Sequence, residues 1–479
     1  MRPRPSRRSS RRQFLRLSAL VPLLAAQVRS FAQTADANPV VIVGAGLAGL
    51  RAAQLLVRSG RRVVVLEARG TSGGRVRTIR APFDEGLYAE AGPIRIAGVH
   101  RTLLKVLVEH RLGLIPFSSS NGAAVVNVGG ATARTPDDLA TTTLVPGLKP
   151  DEIGLSQGAL LDRYVGDLPD DIADLDPSAA SYARWAALDA VAWPDWLRAR
   201  GASEGAVRLM TLGGDSQSLS ALYILRQRAL LQKTSEFYKI QGGMDRLPSA
   251  MAASLHGIVR YSAPVVRIEQ SAASVRVDYR QGNATRSIRA SRVILAVPFS
   301  TLRQMEIRPA FSPDRTRVIE GLPYFSAARF LLQARTRFWH SDGLSGAART
   351  DQPVEIWDAT YNLGGTRGIL AATVGGVLGE QAGGMSPDAA VRFGEGLVEK
   401  VFPTLGSNFE KGVAYRWARD PWARGAFAVF HPGQMTSMMP DIARADGRVH
   451  FAGEHTSSWM GWMEGALESG ERAAREVSE

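Results

Sequence analysis

The sequence predicts an α/β fold, α+β in overall composition, in which one parallel sheet is assembled from distant parts of the chain. The 479 residues exceed what one hydrophobic core holds, so two or three domains are expected. A strand–turn–helix–strand pattern occupies residues 39–69, and further buried-strand patterns lie at 292–297 and 448–454. Strands this far apart in one sheet imply domains that are interleaved along the chain.

Residues 39–69 have the pattern of a βαβ unit. The β-branched run Val40–Val43 suits a buried parallel strand, and the next strand ends at Glu67. Between them a G-x-G-x-x-G turn leads into a helix, and its glycines are Gly44, Gly46 and Gly49. The first glycine permits a tight turn, the second lets the backbone approach a pyrophosphate, and the third lets the helix pack on the strand. With an acid that can accept from a ribose hydroxyl, the unit predicts a Rossmann-like dinucleotide site.

Helical patterns dominate the next part of the chain, about residues 100–235. A polar stretch from 137 to 177, rich in proline, aspartate and glycine, predicts linker and surface turns. Strand patterns return at 265–270 and 274–279. No run of 18 or more apolar residues occurs, so the sequence predicts no membrane-spanning helix.

The first 32 residues predict a twin-arginine export signal. They hold eight arginines and no acid, and Arg11-Arg12 lie in a twin-arginine pattern at 10–16. A modest apolar stretch follows, and a small-x-small ending suits cleavage after Ala32. We therefore expect a periplasmic or secreted protein with the twin-arginine export machinery as a partner. A basic tail that binds nucleic acid or acidic lipid is the alternative.

Charge and cysteine content exclude several classes of function. Without the leader the net charge falls from +13 to about +5, which gives no support for nucleic acid as a partner. The absence of cysteine excludes disulfides, thiolate metal sites, iron–sulfur clusters and cysteine nucleophiles. The seven histidines show no metal-ligand spacing, so no metal site is predicted.

Several motifs together resemble the flavin-containing amine oxidases and, among them, the L-amino-acid oxidases. The resemblance runs from about residue 39 to the C-terminus. Beyond the glycine turn it is densest at 67–69, 73–75, 89–96, 241–248, 264–266, 417–427 and 451–466. It implies one FAD per chain, bound non-covalently or through a histidine, because no cysteine is present to form a cysteinyl link.

The resemblance also implies a domain order. A Rossmann-like FAD-binding domain would be interleaved with a substrate-binding domain that carries a helical insertion. After the leader at 1–32, the FAD-binding domain would take residues 36–80, 235–312 and 446–479. The substrate-binding domain would take 81–128 and 313–445, and the helical insertion 129–234.

Cofactor contacts follow from the resemblance position by position. They are Gly44, Gly46, Gly49, Glu67, Arg69, Gly74, Arg75, Ile94, Arg95, Val265, Gly453, Glu454, Trp462 and Met463. The backbone of Val265 would hold the adenine, and Glu454 would lie near the ribityl and pyrophosphate hydroxyls. Trp462 and Met463 would lie against the isoalloxazine ring.

An aromatic cage for the substrate amine is a further implication. Trp462 would form one wall and either Phe427 or Trp357 the other. Such a cage removes water from the amine and holds its Cα–H against the flavin, so that alignment supplies much of the rate.

The presence of Arg95 distinguishes enzymes that act on amino acids from those that act on simple amines. A carboxylate buried near the flavin needs a paired, bidentate cation, and residues 92–95 resemble the version of this motif found in amino-acid oxidases. The predicted reaction is therefore oxidative deamination of an L-amino acid to a 2-oxo acid and ammonia, with oxygen reduced to hydrogen peroxide. A primary-amine or polyamine oxidase and a non-catalytic carrier on the same fold are the alternatives.

Arg329 departs from the family pattern. Most members carry a lysine near the flavin, five residues after a tyrosine, and counting from Tyr324 gives Arg329. Arginine does not release its proton and spreads its charge over a plane. A dehydrogenase that passes electrons to an acceptor other than oxygen is therefore a further alternative. The sequence leaves open the substrate side chain and the choice between a monomer and a homodimer.

Overall fold

The computed structural model describes residues 38–117, 122–135, 145–173, 180–214, 216–352 and 354–479. The predicted twin-arginine leader at 1–32 lies outside these ranges. Within them, no helix combines the length and the apolar composition needed to cross a membrane.

The strands of the described residues are numbered in chain order. They are β1 (Val40–Val43), β2 (Val63–Leu66), β3 (Thr78–Ile79), β4 (Ala89–Glu90), β5 (Ile96–Ala97), β6 (Leu114–Pro116), β7 (Ala123–Val128), β8 (Ala131–Thr135), β9 (Phe237–Ile240), β10 (Val259–Arg260), β11 (Val265–Gln270), β12 (Val275–Gln281), β13 (Ala284–Ala290), β14 (Arg292–Leu295), β15 (Glu306–Arg308), β16 (Ala328–Ala334), β17 (Leu344–Thr350), β18 (Val354–Asp358), β19 (Gly368–Val374), β20 (Phe409–Arg416) and β21 (Val449–Phe451).

The α-helices are numbered in the same way. They are α1 (Leu47–Arg58), α2 (Arg101–Glu109), α3 (Gln157–Val165), α4 (Ala180–Asp189), α5 (Trp193–Ala199), α6 (Glu204–Met210), α7 (Ala221–Leu231), α8 (Arg246–Ala253), α9 (Phe299–Leu302), α10 (Pro313–Gly321), α11 (Phe338–Ser341), α12 (Gly376–Gly384), α13 (Pro387–Glu399), α14 (Leu405–Asn408), α15 (Gln434–Ile442) and α16 (Met463–Ser478). Short 3-10 helices span Asp170–Ile172, Trp417–Arg419 and Glu454–Thr456.

A five-stranded parallel sheet has the order β10-β2-β1-β14-β21. Its strands come from the beginning, the middle and the end of the described chain, so the predicted interleaving is confirmed. β1 is buried along its whole length, which explains why its sequence is an unbroken run of valine and isoleucine. The exact domain boundaries stay predictions.

The turn between β1 and α1 needs glycine for two physical reasons. Gly44 has φ +103°, a conformation that side chains other than hydrogen disfavour. A Cβ on Gly49 would lie 2.0 Å from the Gly44 carbonyl oxygen, so no larger residue fits where the helix packs on the strand. Together the two glycines allow α1 to begin directly after β1, so that its N-terminus lies at the carboxyl end of the sheet.

A second, seven-stranded sheet has the order β20-β16-β19-β18-β17-β7-β8. In its registers Arg349 lies opposite Glu355, Glu355 opposite Thr373, and Thr373 opposite Arg329. Residues paired in this way share one face of a sheet. The sheet therefore presents a row of polar and charged side chains to one side.

Helices α3–α7 lie within the predicted helical insertion at 129–234, which also contains the strand β8. One part of it differs from the sequence prediction, because the polar stretch at 137–177 contains α3 and not only turns. Ser156 explains the helix start, since its side chain accepts a hydrogen bond from the Ala159 amide at 3.1 Å. Parts of that stretch, 137–144 and 174–177, lie outside the described residues.

Candidate active site

One cavity of about 580 Å³ is lined jointly by the five-stranded sheet, the seven-stranded sheet and helix α7. Its size is typical of sites that enclose a small molecule. All the predicted cofactor contacts except Gly49 line this cavity. Gly49 acts indirectly, since it allows α1 to approach the strand.

The N-terminus of α1 opens onto the cavity at Gly46. No side chain caps this helix end, and no acid lies in its first turn. A Cβ on Gly46 would meet nothing within 4 Å, so free space lies directly beside the helix N-terminus. Unpaired amides and the positive end of the helix dipole are the features that bind a phosphate group. This end of the cavity therefore fits the pyrophosphate of a dinucleotide.

Glu67 lies at the same end of the cavity. Its buried carboxylate accepts hydrogen bonds from the Ala45 amide at 2.7 Å and the Arg69 amide at 2.9 Å. Burial raises the pKa of Glu67, and the two amides act in the opposite direction. A carboxylate fixed in this way still has lone pairs for a ribose hydroxyl, which fits its predicted role.

Arg69 is paired within the protein. Its guanidinium forms an ion pair of 2.5 Å with Asp420, which also accepts from the Trp422 amide at 2.9 Å. The charge of Arg69 is thus already balanced by a carboxylate. Arg69 and Trp422 both line the cavity, so this pair shapes its wall.

Glu454 joins three loops of the cavity wall. It forms an ion pair of 2.7 Å with Arg75 and accepts hydrogen bonds from the amides of Ala428 at 3.2 Å and Gly461 at 2.8 Å. Arg75 also donates to the Ala426 carbonyl at 3.1 Å. Since Glu454 is buried, these bonds fix the position of the loop that leads into Trp462.

Val265 lines the cavity at the start of β11. The ladder between β11 and β12 shifts register between Val265 and Arg267, as in a β-bulge. This irregularity lies at the residue for which the family resemblance implies an adenine contact, and that role stays a prediction.

Aromatic side chains form the opposite part of the cavity. The Trp462 indole N–H donates to Gln227 at 2.9 Å, which holds the ring against α7. Phe427 stacks on Phe325 with ring centroids 5.2 Å apart. Trp462 and Phe427 both line the cavity, whereas Trp357 is not among its lining residues. Of the two predicted second walls of the cage, the structure thus places Phe427 at the cavity.

Arg329 is anchored to the backbone next to Arg95. Its Nε donates to the Thr373 hydroxyl at 3.0 Å, and its Nη1 donates to the carbonyls of Glu90 and Gly92. The Trp357 ring lies 4.9 Å from the guanidinium carbon. Burial lowers the pKa of Arg329 to about 10, so the side chain stays charged at neutral pH. Arg329 therefore fixes the backbone at 90–92. Ile94, which lines the cavity, lies two residues further along the same loop.

Arg95 lines the cavity and is half-buried. Pairing between β5 and β9 brings Phe237 beside it, and the guanidinium carbon lies 5.2 Å from that ring. Within the described part of the chain, Arg95 has neither a carboxylate nor a hydrogen-bond acceptor as partner. A partly buried cation without an anion in the protein is suited to bind an anionic group of a ligand.

Comparison with known proteins identifies the family. The profile described as flavin containing amine oxidoreductase matches residues 47–478. The chain belongs to this family. Its cofactor is therefore a flavin, and its substrate is a small molecule that carries an amine.

Individual relatives in this family span nearly the whole chain. YobN of Bacillus subtilis (strain 168) is 30% identical over 92% of this chain and 94% of its own length. The L-amino-acid oxidase of Vipera ammodytes ammodytes is 30% identical over 93% of this chain and 94% of its own length. Among solved structures, cyclohexylamine oxidase from Brevibacterium oxydans IH-35A has a TM-score of 0.77 and 25% identity, covering 92% of this chain and 98% of that one.

The structure of this amine oxidoreductase adds cavity residues that sequence patterns did not single out. They are Gln227, Glu355 and Thr373 among others. For Glu355 a signal existed in the sequence, because it lies between the apolar Val354 and Ile356, and alternation along a strand places it on the face of β18 opposite to these two buried residues. No comparable signal points to Gln227, whose role depends on the packing of α7 against the Trp462 loop.

Proposed function

We propose that this flavin-containing amine oxidoreductase uses FAD to deaminate L-amino acids oxidatively, and that it forms a 2-oxo acid, ammonia and hydrogen peroxide. The observation that carries the proposal is Arg95, a cavity cation that has no anionic partner among the described residues. The L-amino-acid oxidase of Vipera ammodytes ammodytes, at 30% identity over nearly the full chain, supports the same substrate class.

Each part of the cavity has a distinct task in this reaction. Bound FAD would supply the redox chemistry, namely acceptance of a hydride from the substrate Cα and reoxidation by oxygen. Arg95 pairs with the substrate carboxylate and so fixes the orientation of the Cα–H. Trp462 and Phe427 exclude water from the amine, and loss of hydration favours the neutral form of the amine, from which a hydride can leave. Arg329 positions the Arg95 loop through its bonds to the backbone at 90–92.

An amine oxidase without a carboxylate requirement is the second candidate function. The structural likeness to cyclohexylamine oxidase, at 25% identity, favours it. In that case Arg95 would not contact the substrate, and the wild-type enzyme would prefer the amine that lacks a carboxylate.

Turnover of matched substrates tests the proposal. A panel of L-amino acids and the amines formed by their decarboxylation would be assayed for peroxide and, separately, for reduction of a dye. We expect activity on amino acids, with peroxide formed in proportion to substrate consumed. Dye reduction without peroxide would indicate a dehydrogenase, and preference for the amines would replace the proposal by the second candidate.

We also propose that FAD is bound without a covalent link. The chain has no cysteine. Of the described histidines, none is among the residues that line the cavity. Heat or acid denaturation should therefore release all the flavin into the supernatant as intact FAD, measured by absorbance and chromatography. Flavin retained on the precipitated protein would contradict non-covalent binding.

Export through the twin-arginine route, to the periplasm or beyond, is a further proposal that rests on the sequence of residues 1–32. The double substitution Arg11→Lys and Arg12→Lys should retain the precursor in the cytoplasm with its flavin bound, because the pattern precedes residue 36, where the predicted FAD-binding domain begins. Cell fractionation with flavin fluorescence measures this. A double variant that is exported as well as the wild type would show that another signal is used.

A further inference from the structure

We propose that Glu355 binds a positive charge at the end of the substrate side chain, which makes basic L-amino acids the preferred substrates. The inference rests on the proposed function, because it assumes that Arg95 holds the carboxylate of the same molecule. It adds the class of side chain, which the position of Arg95 alone does not determine.

Three carboxylates line the described part of the cavity, and their bonding differs. Glu67 accepts two backbone hydrogen bonds. Glu454 also accepts two backbone hydrogen bonds and forms an ion pair with Arg75. Glu355 accepts no hydrogen bond from any described residue. A carboxylate that is partly removed from water without a donor is unfavourable unless a ligand supplies one.

The charged groups around Glu355 leave its carboxylate available. The nearest ion-pair partner is Arg349, at 3.9 Å, which is near the outer limit of such a contact. Arg349 is about half exposed and donates instead to Gln157 at 2.9 Å. Arg329 on the other side donates to Thr373 and to backbone carbonyls, so it interacts with Glu355 through charge alone and leaves the carboxylate oxygens without a hydrogen bond from its side chain. The side chain of Glu355 is 33% exposed, so a ligand in the cavity can reach it.

The sheet register sets the separation between the charges. Glu355 on β18 lies opposite Thr373 on β19, and Thr373 lies opposite Arg329 on β16. Two strand spacings separate the backbones of Glu355 and Arg329 by roughly 10 Å. Burial has the largest effect on the Arg329 pKa and lowers it, the Glu355 and Glu90 carboxylates raise it, and the Arg95 charge lowers it, so Glu355 and Arg95 both act electrostatically on Arg329. Arg95 and Glu355 both line the cavity, so it offers a ligand one positive and one negative charge.

A basic amino acid has the complementary arrangement. Its carboxylate matches Arg95, and its side-chain ammonium or guanidinium lies at the far end of a short aliphatic chain. A neutral aliphatic side chain would instead cover the Glu355 carboxylate without supplying a hydrogen-bond donor. Glu355 thus favours a cationic side chain by attraction. It disfavours an apolar side chain, because that side chain would remove water from the carboxylate without replacing its hydrogen bonds.

The test compares L-lysine with L-norleucine, which has the same chain without the ammonium. In Glu355→Gln, kcat/KM for lysine should fall roughly ten- to hundredfold, because a charge-assisted contact is lost, while the value for norleucine stays within about twofold of wild type or rises. Arg349→Gln is the matched control. It removes the neighbouring cation and keeps Glu355, so lysine turnover should be unchanged or higher.

Binding without turnover gives an independent measurement. The holoenzyme would be titrated anaerobically with 6-aminohexanoate, which has a carboxylate and a distal ammonium but no α-amine, and with hexanoate. Glu355→Gln should weaken only the first ligand, by a similar factor. Equal effects on both ligands, equal effects on lysine and norleucine, or the same loss of lysine turnover in Arg349→Gln would overturn the inference.

Decarboxylated probes separate this inference from the proposed function. If wild type prefers cadaverine to lysine, the proposed function fails, yet the ratio of cadaverine to pentylamine turnover still reports on Glu355. If wild type prefers lysine to cadaverine but Glu355→Gln does not change the lysine-to-norleucine ratio, the proposed function stands and the inference fails.

Discussion

Replacing Arg95 by alanine is expected to lower kcat/KM for an L-amino acid by two to four powers of ten. The substitution leaves the substrate carboxylate in the cavity without a cation to pair with it. Removing one member of such a pair costs about 3–5 kcal/mol, which corresponds to the stated loss. The matching amine has no carboxylate, so its kcat/KM should change little or increase.

Arg101→Ala provides a matched control for this variant. Arg101 is exposed at the start of α2 and is absent from the cavity lining. It should alter turnover of acid and amine alike by less than about twofold. Equal losses for acid and amine in Arg95→Ala would show that Arg95 does not bind the carboxylate, and would leave only the assignment to the amine oxidoreductase family.

Glu454→Ala is expected to damage the flavin site itself. The substitution unpairs Arg75 and removes the acceptor for the amides of Ala428 and Gly461. Breaking a buried ion pair from one side costs about 3–5 kcal/mol, and for a chain of this length the melting temperature should fall by roughly 3–5 °C. Because the three loops line the cavity, the dissociation constant for FAD should also rise, by roughly a hundredfold or more.

Two further variants test whether the effect of Glu454→Ala comes from the loss of this buried carboxylate. Glu454→Gln keeps the size and one acceptor of the side chain, so it should retain more FAD than the alanine variant. Glu380→Ala removes an exposed carboxylate on α12 and should change neither property. Thermal unfolding followed by flavin fluorescence, with FAD titration of the apoprotein, measures both. FAD affinity at the wild-type value in Glu454→Ala would show that the loops keep their positions without this carboxylate.

Local motifs made the dinucleotide unit predictable from sequence. The valine-rich β1, the glycine turn and Glu67 lie within 30 residues, and their geometry depends on short-range backbone conformation. The interleaving was also predictable, since β14 and β21 have the apolar pattern of buried parallel strands. These features therefore appear in the structure where the sequence places them.

The residues on the substrate side of the cavity could not all be predicted from the sequence, because their positions depend on long-range packing. The sequence left Phe427 and Trp357 as equal candidates for a cage wall, and only the position of β18 beside β19 shows that Trp357 packs on Arg329. The same strand order brings Glu355 to the cavity. Strand order in a mixed sheet and the path of α7 past Trp462 are not encoded in a local pattern. Alternation along β18 therefore indicates the face on which Glu355 lies but not that this face borders the cavity, and no pattern points to Gln227.

The rate at which substrate bleaches the flavin absorbance in the absence of oxygen tests the central claim most directly. Wild-type holoenzyme would be mixed in a stopped-flow instrument with an L-amino acid and, separately, with the amine formed by its decarboxylation. This measurement excludes the reaction of the reduced flavin with oxygen, which is the step that the arginine at the usual lysine position calls into question. We expect the amino acid to bleach the flavin at least a hundred times faster than the amine, in line with the value of about 3–5 kcal/mol for the carboxylate pair. Equal rates, or faster bleaching by the amine, would contradict the account of Arg95 as the carboxylate-binding residue of an L-amino-acid oxidase.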